Sequence, residues 1–239
     1  MEYKAVISQP MFFPWHGLFA QAKECDLFMH LVDVQMPGGQ SFMHRVQLKG
    51  KNGIFWWGIP IDRSGFPKQI KDIKVQLLDS WLNKSIKTIE QIYTGLKFKN
   101  DVLDIFNLVF SRKEKYLYEI NIKAFELICK YLNIVPKFYI KDIMHLDENP
   151  SVRLQKSLNQ EGATIYITGH GAKNYLDHML FERNDISVKY IEYNIDPYDQ
   201  YGGDFNQYVS ILDLIAHKGP ESNNYLKSKF IPWREFINE

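Results

Sequence analysis

The stretch Tyr3-Lys4-Ala5-Val6-Ile7-Ser8-Gln9-Pro10-Met11-Phe12-Phe13-Pro14-Trp15-His16-Gly17-Leu18-Phe19, continued by Cys25-Asp26-Leu27-Phe28-Met29-His30-Leu31-Val32-Asp33-Val34-Gln35, decides the fold. A strand over 3–8 runs straight into Gln9-Pro10, and the rigid turn Pro14-Trp15-His16-Gly17 follows. Leu18, Phe19, Ala22 and Cys25 recur at helical spacing and predict a helix over about 17–25. A second strand, 27–33, ends in Asp33. Polar groups therefore sit just past the C-terminal ends of two strands of one βαβ unit, the edge of an open α/β sheet where ligands bind.

Working outward, a Gly-rich loop (Met36-Pro37-Gly38-Gly39-Gln40) precedes two strands, 44–49 and 54–61. Lys51-Asn52-Gly53 joins them, and Asn-Gly is a strong hairpin signal. The second of these strands is apolar on both faces and reads as central. A further strand spans 73–78. Helices are expected over about 80–93, 100–111 and 115–132. The first opens at the capping pair Asp79-Ser80, and the last carries Leu117, Ile120, Ala124, Leu127, Ile128 and Leu132 on one face. A strand at 137–143, a helix at 150–161 and a strand at 164–168 restore the alternation. Then come the Gly-rich junction Thr168-Gly169-His170-Gly171-Ala172, a short helix from Ala172, a last strand at 186–193 and a helix at 208–216. The expected fold is α/β: a mostly parallel sheet of Rossmann-like βαβ character, with a β-hairpin and a helical insertion. Residues 1–79, 80–133 and 134–239 read as three regions of one compact unit.

The balance of 29 basic and 28 acidic residues, net +1, argues against a nucleic-acid polymer as partner, because phosphate backbones call for a basic excess. No run approaches the ~20 apolar residues that span a bilayer. Cys25 and Cys129 lie far apart, match no metal motif and read as buried thiols of a reducing compartment. With no leader pattern at the start, the reading is a soluble cytoplasmic protein.

Several side chains are candidates for chemistry. Gln9 follows a strand, so its amide faces either a ligand or the turn backbone. Asp33 ends a strand as a base, an amine or ribose anchor, or a cap, and Gln35 points the same way two residues on. His44-Arg45 follows the Gly-rich loop. Arg45 offers a fork to phosphate or carboxylate, whereas Lys49, farther along that strand, is expected to matter little for binding. The junction at 168–172 offers backbone N–H groups to an anion but is not a P-loop, and His170 there suits acid–base work. His16, His30, His145, His178 and His217 are scattered and form no metal set. No Gly-x-Ser-x-Gly elbow occurs.

These residues resemble the WbqC-like family. The matching runs are Gln9-Pro10 with Phe13-Pro14-Trp15, Gly17 and Phe19; Asp26 with Asp33 and Gln35; Ser41-Phe42 with Arg45; and Trp57 with Pro60. Further runs are Trp81, Ile89 and Tyr93; Tyr166 with Gly169, Gly171-Ala172 and Tyr175-Leu176-Asp177; and Ser210-Ile211-Leu212-Asp213-Leu214 with Gly219. Two positions depart from the family pattern: His44 stands where Asn is usual, and Thr168 where Ser is usual, which keeps a hydroxyl. Position 16 varies in the family.

Members are often encoded among genes for O-antigen and other surface polysaccharides. The resemblance thus implies an enzyme, a transferase or ligase, that modifies a nucleotide-linked amino sugar by acyl or aminoacyl transfer. ATP and acyl-CoA both stay open as co-substrates, and oligomeric state is left open. The residue reading and the resemblance together give as expected site residues Asp33, Gln9 and His170 for catalysis, with Gln35, Arg45, Trp15, Thr168, Gly169, Tyr175 and Asp213 for substrate. Two alternatives stand beside this reading. One is a HIGH-like nucleotidyltransferase, although Trp15 and Leu18 occupy its two histidine positions. The other is a non-catalytic sugar-binding partner.

Overall fold

A computed structural model describes residues 1–38, 41–112, 114–141 and 149–238. Gly39 and Gln40 of the Gly-rich loop, residues 142 and 143 of the expected strand and His145 lie outside the described residues. In chain order the elements are β1 (Lys4–Ser8), α1 (His16–Glu24), β2 (Leu27–Leu31), β3 (Arg45–Gly50), β4 (Gly53–Gly58), α2 (Asp79–Ile92), α3 (Lys99–Val109) and α4 (Leu117–Tyr131). They continue as β5 (Lys137–Lys141), α5 (Pro150–Gln160), β6 (Ile165–Thr168), α6 (His178–Glu182), β7 (Ser187–Asn194), α7 (Ile211–Lys218), α8 (Ser222–Tyr225), β8 (Lys227–Pro232) and α9 (Trp233–Asn238).

The main sheet has the order β5-β2-β1-β6-β7-β8. All neighbours run parallel except β7 and β8, which are antiparallel. From β1 the chain first builds leftward through β2 and β5, then returns to place β6 and β7 on the other side. The direction of winding thus reverses between β1 and β6. Adjacent connections leave in opposite directions there, which opens a crevice beyond the strand ends.

Strand alternation sorts the core into two layers. Val6, Phe28, Ile165, Ile167 and Ile191 face one cluster, shared with α1, α3, α4, α7 and the β3–β4 hairpin. Ala5, Ile7, Leu27, Met29, Tyr166, Val188 and Tyr190 face a second, covered by Leu154 and Leu158 of α5 and Phe181 of α6. Helices on both faces explain why β1, β2 and β6 are continuous apolar runs. Residues 80–133 contribute to the same cluster as β1 and β2, so the helical insertion has no separate core.

Three expectations need correction. Residues 73–78 form no strand: Val75 bridges Ile61 and Lys74 bridges Tyr116, each singly. The Val75 amide bonds Lys115 and the Gln76 amide bonds Pro60, so the segment divides its hydrogen bonds between two neighbours and builds no ladder. Second, β4 is not central. Among the described residues it pairs only with β3, and Ile54, Phe55 and Trp56 are exposed while Trp57 is buried; most of this all-apolar run marks a surface patch. Third, β8 and α9 went unread. Lys227-Ser228-Lys229-Phe230-Ile231-Pro232 has no buried residue, and its proline and lysines mark a protected sheet edge.

His30 sits wholly inside the first cluster, 1% exposed, among Phe28, Phe125 and Phe138. Neither ring nitrogen has a partner. Burial pushes its pKa down to about 3, and burial pushes that of His16 down to about 4, offset in part by a backbone hydrogen bond. Both folded values lie below the unfolded ~6.5. Their stabilising contribution is therefore present above pH 6.5 and is lost as pH falls towards the folded values. Each histidine should cost about 2 kcal/mol between pH 7 and 5. Chemical denaturation of His30→Leu is expected to show about half the acid sensitivity of this histidine pair. An unchanged pH slope would contradict the burial of a neutral imidazole.

Candidate active site

The crevice between β1 and β6 holds a cavity of about 880 Å³. Its walls come from the C-terminal ends of β1 and β6, the first turn of α5, the end of β7 and the loop before α7.

Trp15 forms one wall. The turn that carries it is pinned from both sides. Ser210, the N-cap of α7, donates through Oγ to the Phe13 carbonyl at 2.7 Å, and the Ile211 amide donates to the Pro14 carbonyl at 2.9 Å. Phe13 adopts φ 39°, a left-handed conformation that L-residues rarely take and that only firm packing maintains. That packing comes from Phe12, Trp57 and Phe106. Gly17 is required next: a Cβ there would stand 2.5 Å from the Trp15 ring. Tyr193 and Tyr208 meet Trp15 at 4.7 and 5.7 Å between ring centres, making an aromatic wall. Gln21 donates to the Tyr193 hydroxyl, and burial pushes the Tyr193 pKa up to about 12. Gly169 lets the two strand ends approach, since a Cβ would meet that hydroxyl at 3.1 Å.

His170 follows Gly169 and lines the cavity. Its Nε2 lies 2.9 Å from the Ile191 carbonyl. A carbonyl only accepts, so Nε2 carries the proton and Nδ1 of the neutral ring is the basic nitrogen. Phe236 packs 4.9 Å away and holds the ring plane.

Among the described residues Arg153 is the cationic group that lines the cavity. It projects from the start of α5, a helix opened by Pro150 and by Asn149, whose side chain accepts the Ser151 amide at 2.8 Å. Arg153 Nη2 donates to Asp33 Oδ2 at 2.8 Å, and Asp33 is only 2% exposed. A carboxylate so deeply buried is tolerated because it is paired. Asp33 itself does not line the cavity; it holds the guanidinium that does.

The expected site residues thus divide. Gln9, Trp15, Thr168, Gly169, His170 and Tyr175 line the cavity. Asp33 reaches it only through Arg153. Gln35 is exposed, its backbone bridged to Gln69. Arg45 lies on the hairpin, stacked 4.6 Å over Trp56. Asp213 is buried beneath the cavity's loop, accepting from Tyr198 at 2.8 Å and Gln200 at 3.0 Å, and burial pushes its pKa up.

Lys49 belongs to this buried assembly and is no ordinary strand lysine. It is 2% exposed and donates to Gln200, Gly203 and Asp204. The assembly fixes the loop whose end supplies Gln207 and Tyr208 to the cavity. Arg153, Gln21, Glu192, Tyr193, Gln207 and Tyr208 escaped the sequence reading. For Arg153 a signal existed, the Asn149-Pro150 helix start that brings it to the sheet edge. The others carry no local motif.

The model of the WbqC-like protein family matches residues 9–225. The chain belongs to the WbqC-like family. The matched span includes every element that builds the cavity except β1. This WbqC-like protein is also 26% identical over 227 residues to the uncharacterized protein Rv1507c of Mycobacterium tuberculosis, covering 94% of this chain and 97% of the relative. No solved structure matches it. Among the described residues no helix is long and apolar enough to cross a membrane, and no group of His, Cys, Asp or Glu is placed to hold a metal ion. The chemistry therefore has to be read from the cavity.

Proposed function

We propose that this WbqC-like protein is an enzyme that transfers an acyl or aminoacyl group to the amine of a nucleotide-linked amino sugar, in the cytoplasm, during surface-polysaccharide synthesis. One observation carries the reading: a base of fixed tautomer, His170, and a guanidinium held in place, Arg153, line the same switch-point cavity. A volume of about 880 Å³ suits a ligand of nucleotide-sugar size. The aromatic wall of Trp15, Tyr193 and Tyr208 offers flat apolar surface with polar edges, which suits a base or a pyranose. Arg153 suits a phosphate or carboxylate through paired N–H groups.

In the proposed step the sugar amine attacks the carbonyl of an activated acyl donor, an acyl-CoA or an acyl group activated with ATP. His170 Nδ1 takes the ammonium proton as the C–N bond forms. The donor's leaving group departs with the electrons of the broken bond. The HIGH-like alternative gains nothing from the cavity, because His16 is buried and donates through Nδ1 to the Gln207 carbonyl at 3.0 Å.

A thermal-shift panel tests this. A nucleotide-linked amino sugar at about 100 times its Kd should raise Tm by about 5–10 °C, from about 2.7 kcal/mol of linkage in a chain of this size. Stabilisation by a neutral glycan but by no nucleotide sugar would replace the enzyme with a sugar-binding partner.

A further inference from the structure

The hairpin carries a cationic cluster that the cavity does not use. Arg45 opens β3 with its guanidinium over Trp56. Its Nε and Nη2 are buried and have no hydrogen-bond partner. Beside it, His44 Nε2 lies 3.3 Å from Arg63 Nη2. A guanidinium only donates, so Nε2 accepts and the ring proton sits on Nδ1. That Nδ1 is also buried without a partner. Two unused donors on Arg45 and one on His44 thus lie on adjacent residues, with the Arg63 guanidinium 3.3 Å from His44. Among the described residues, no carboxylate forms an ion pair with Arg45 or Arg63. Gathering two like charges with unmet donors is unfavourable unless an anion completes the set. His44 is held neutral by burial first and by Arg63 and Arg45 next, the reverse of what a neighbouring anion would do.

The cluster is tied to the turn that enters the cavity. The Phe12 amide donates to the Phe42 carbonyl at 3.0 Å. Asn121 Nδ2 bridges the carbonyls of Pro10 and Met43 at 3.1 and 2.8 Å. Residues 41–45 are therefore tied by hydrogen bonds to the turn that presents Gln9 and Met11.

We propose that His44, Arg45 and Arg63 form a second binding site, outside the cavity, for the tetrahedral oxyanion of a phosphate group. The geometry favours phosphate over carboxylate. A planar carboxylate is fully served by one Arg fork, whereas here donors come from two guanidinium planes and an imidazole, which suits oxygens pointing in several directions. The site stands apart from the reading given to the cavity and does not depend on it.

Calorimetric titration of the full chain with inorganic phosphate tests the site, with acetate at equal ionic strength as the carboxylate arm. Phosphate should bind at one site that survives in an Asp33→Asn/Arg153→Met variant, which removes the cavity guanidinium together with its carboxylate. Arg63→Gln, an exposed position, should weaken that site about tenfold, the effect of losing one charge-assisted hydrogen bond. Arg45→Lys, which keeps charge and stem but loses the fork, should do the same. UMP binding more tightly than phosphate supports the site with its phosphate carried on a nucleoside, and equal binding supports recognition of the phosphate alone. The proposal is overturned if wild-type protein binds no phosphate, if acetate binds equally well, if Arg63→Gln leaves affinity unchanged, or if binding is lost with Arg153 instead.

Discussion

Replacing His170 by Ala is expected to lower turnover about 10²–10⁴-fold, the usual range for removal of a general base. The side chain is exposed and bonds only one carbonyl, so the melting temperature should change little. That separation makes the variant informative. A side chain needed for the fold would lower both quantities together. A base would lower turnover alone. Substrate affinity should stay near that of the wild type, since deprotonation of the amine belongs to the transition state and not to ground-state binding. Assay with the nucleotide-linked amino sugar and its acyl donor reads the effect. Full activity in a folded His170→Ala protein would remove His170 from the chemistry.

The Asp33–Arg153 pair gives the largest expected effect on stability. Arg153→Met alone leaves the Asp33 carboxylate buried without its cation, which should cost about 3–5 kcal/mol in urea denaturation. The Asp33→Asn/Arg153→Met double variant removes both charges, so most of that loss should return. Binding should behave differently. Both variants lack the guanidinium that lines the cavity, and both should bind the nucleotide-linked amino sugar about 10–100-fold more weakly. Stability that recovers while affinity does not assigns Arg153 to the ligand and Asp33 to holding Arg153. Recovery of both would make the pair purely structural. A single variant as stable as wild type would mean that the buried carboxylate does not need its partner.

What the sequence discloses follows from the range of the forces involved. The β1–α1–β2 unit is legible because strand runs, helical spacing and the Gln9-Pro10 break are all local. The hairpin is legible from Asn52-Gly53. Burial of β4 is not, because a run of apolar residues looks the same whether a sheet covers it or solvent does. Residues 73–78 have strand-like composition, but the partners that would make a ladder are split between two segments. The edge strand β8 hides because it must be polar to stay unpaired. The cavity is legible in outline, since its position follows from strand ends. Its key pairings are not. Asp33 and Arg153 are 120 residues apart, and Gln21 and Tyr193 are 172 apart. No local pattern announces that a strand-end carboxylate will be spent on orienting an arginine. Lys49 shows the same limit: only the closed fold reveals that its ammonium is enclosed by the carbonyls of a distant loop.

Native mass spectrometry of the purified full chain, with a nucleotide-linked amino sugar added, tests the central claim most directly. In an Arg63→Gln background, which weakens the hairpin phosphate site, the predicted result is a one-to-one complex that His170→Ala retains and the Asp33→Asn/Arg153→Met variant loses. A complex that the double variant forms as readily as wild type, or no complex at concentrations that saturate ordinary enzyme sites, would contradict the assignment of this cavity to a nucleotide-linked substrate.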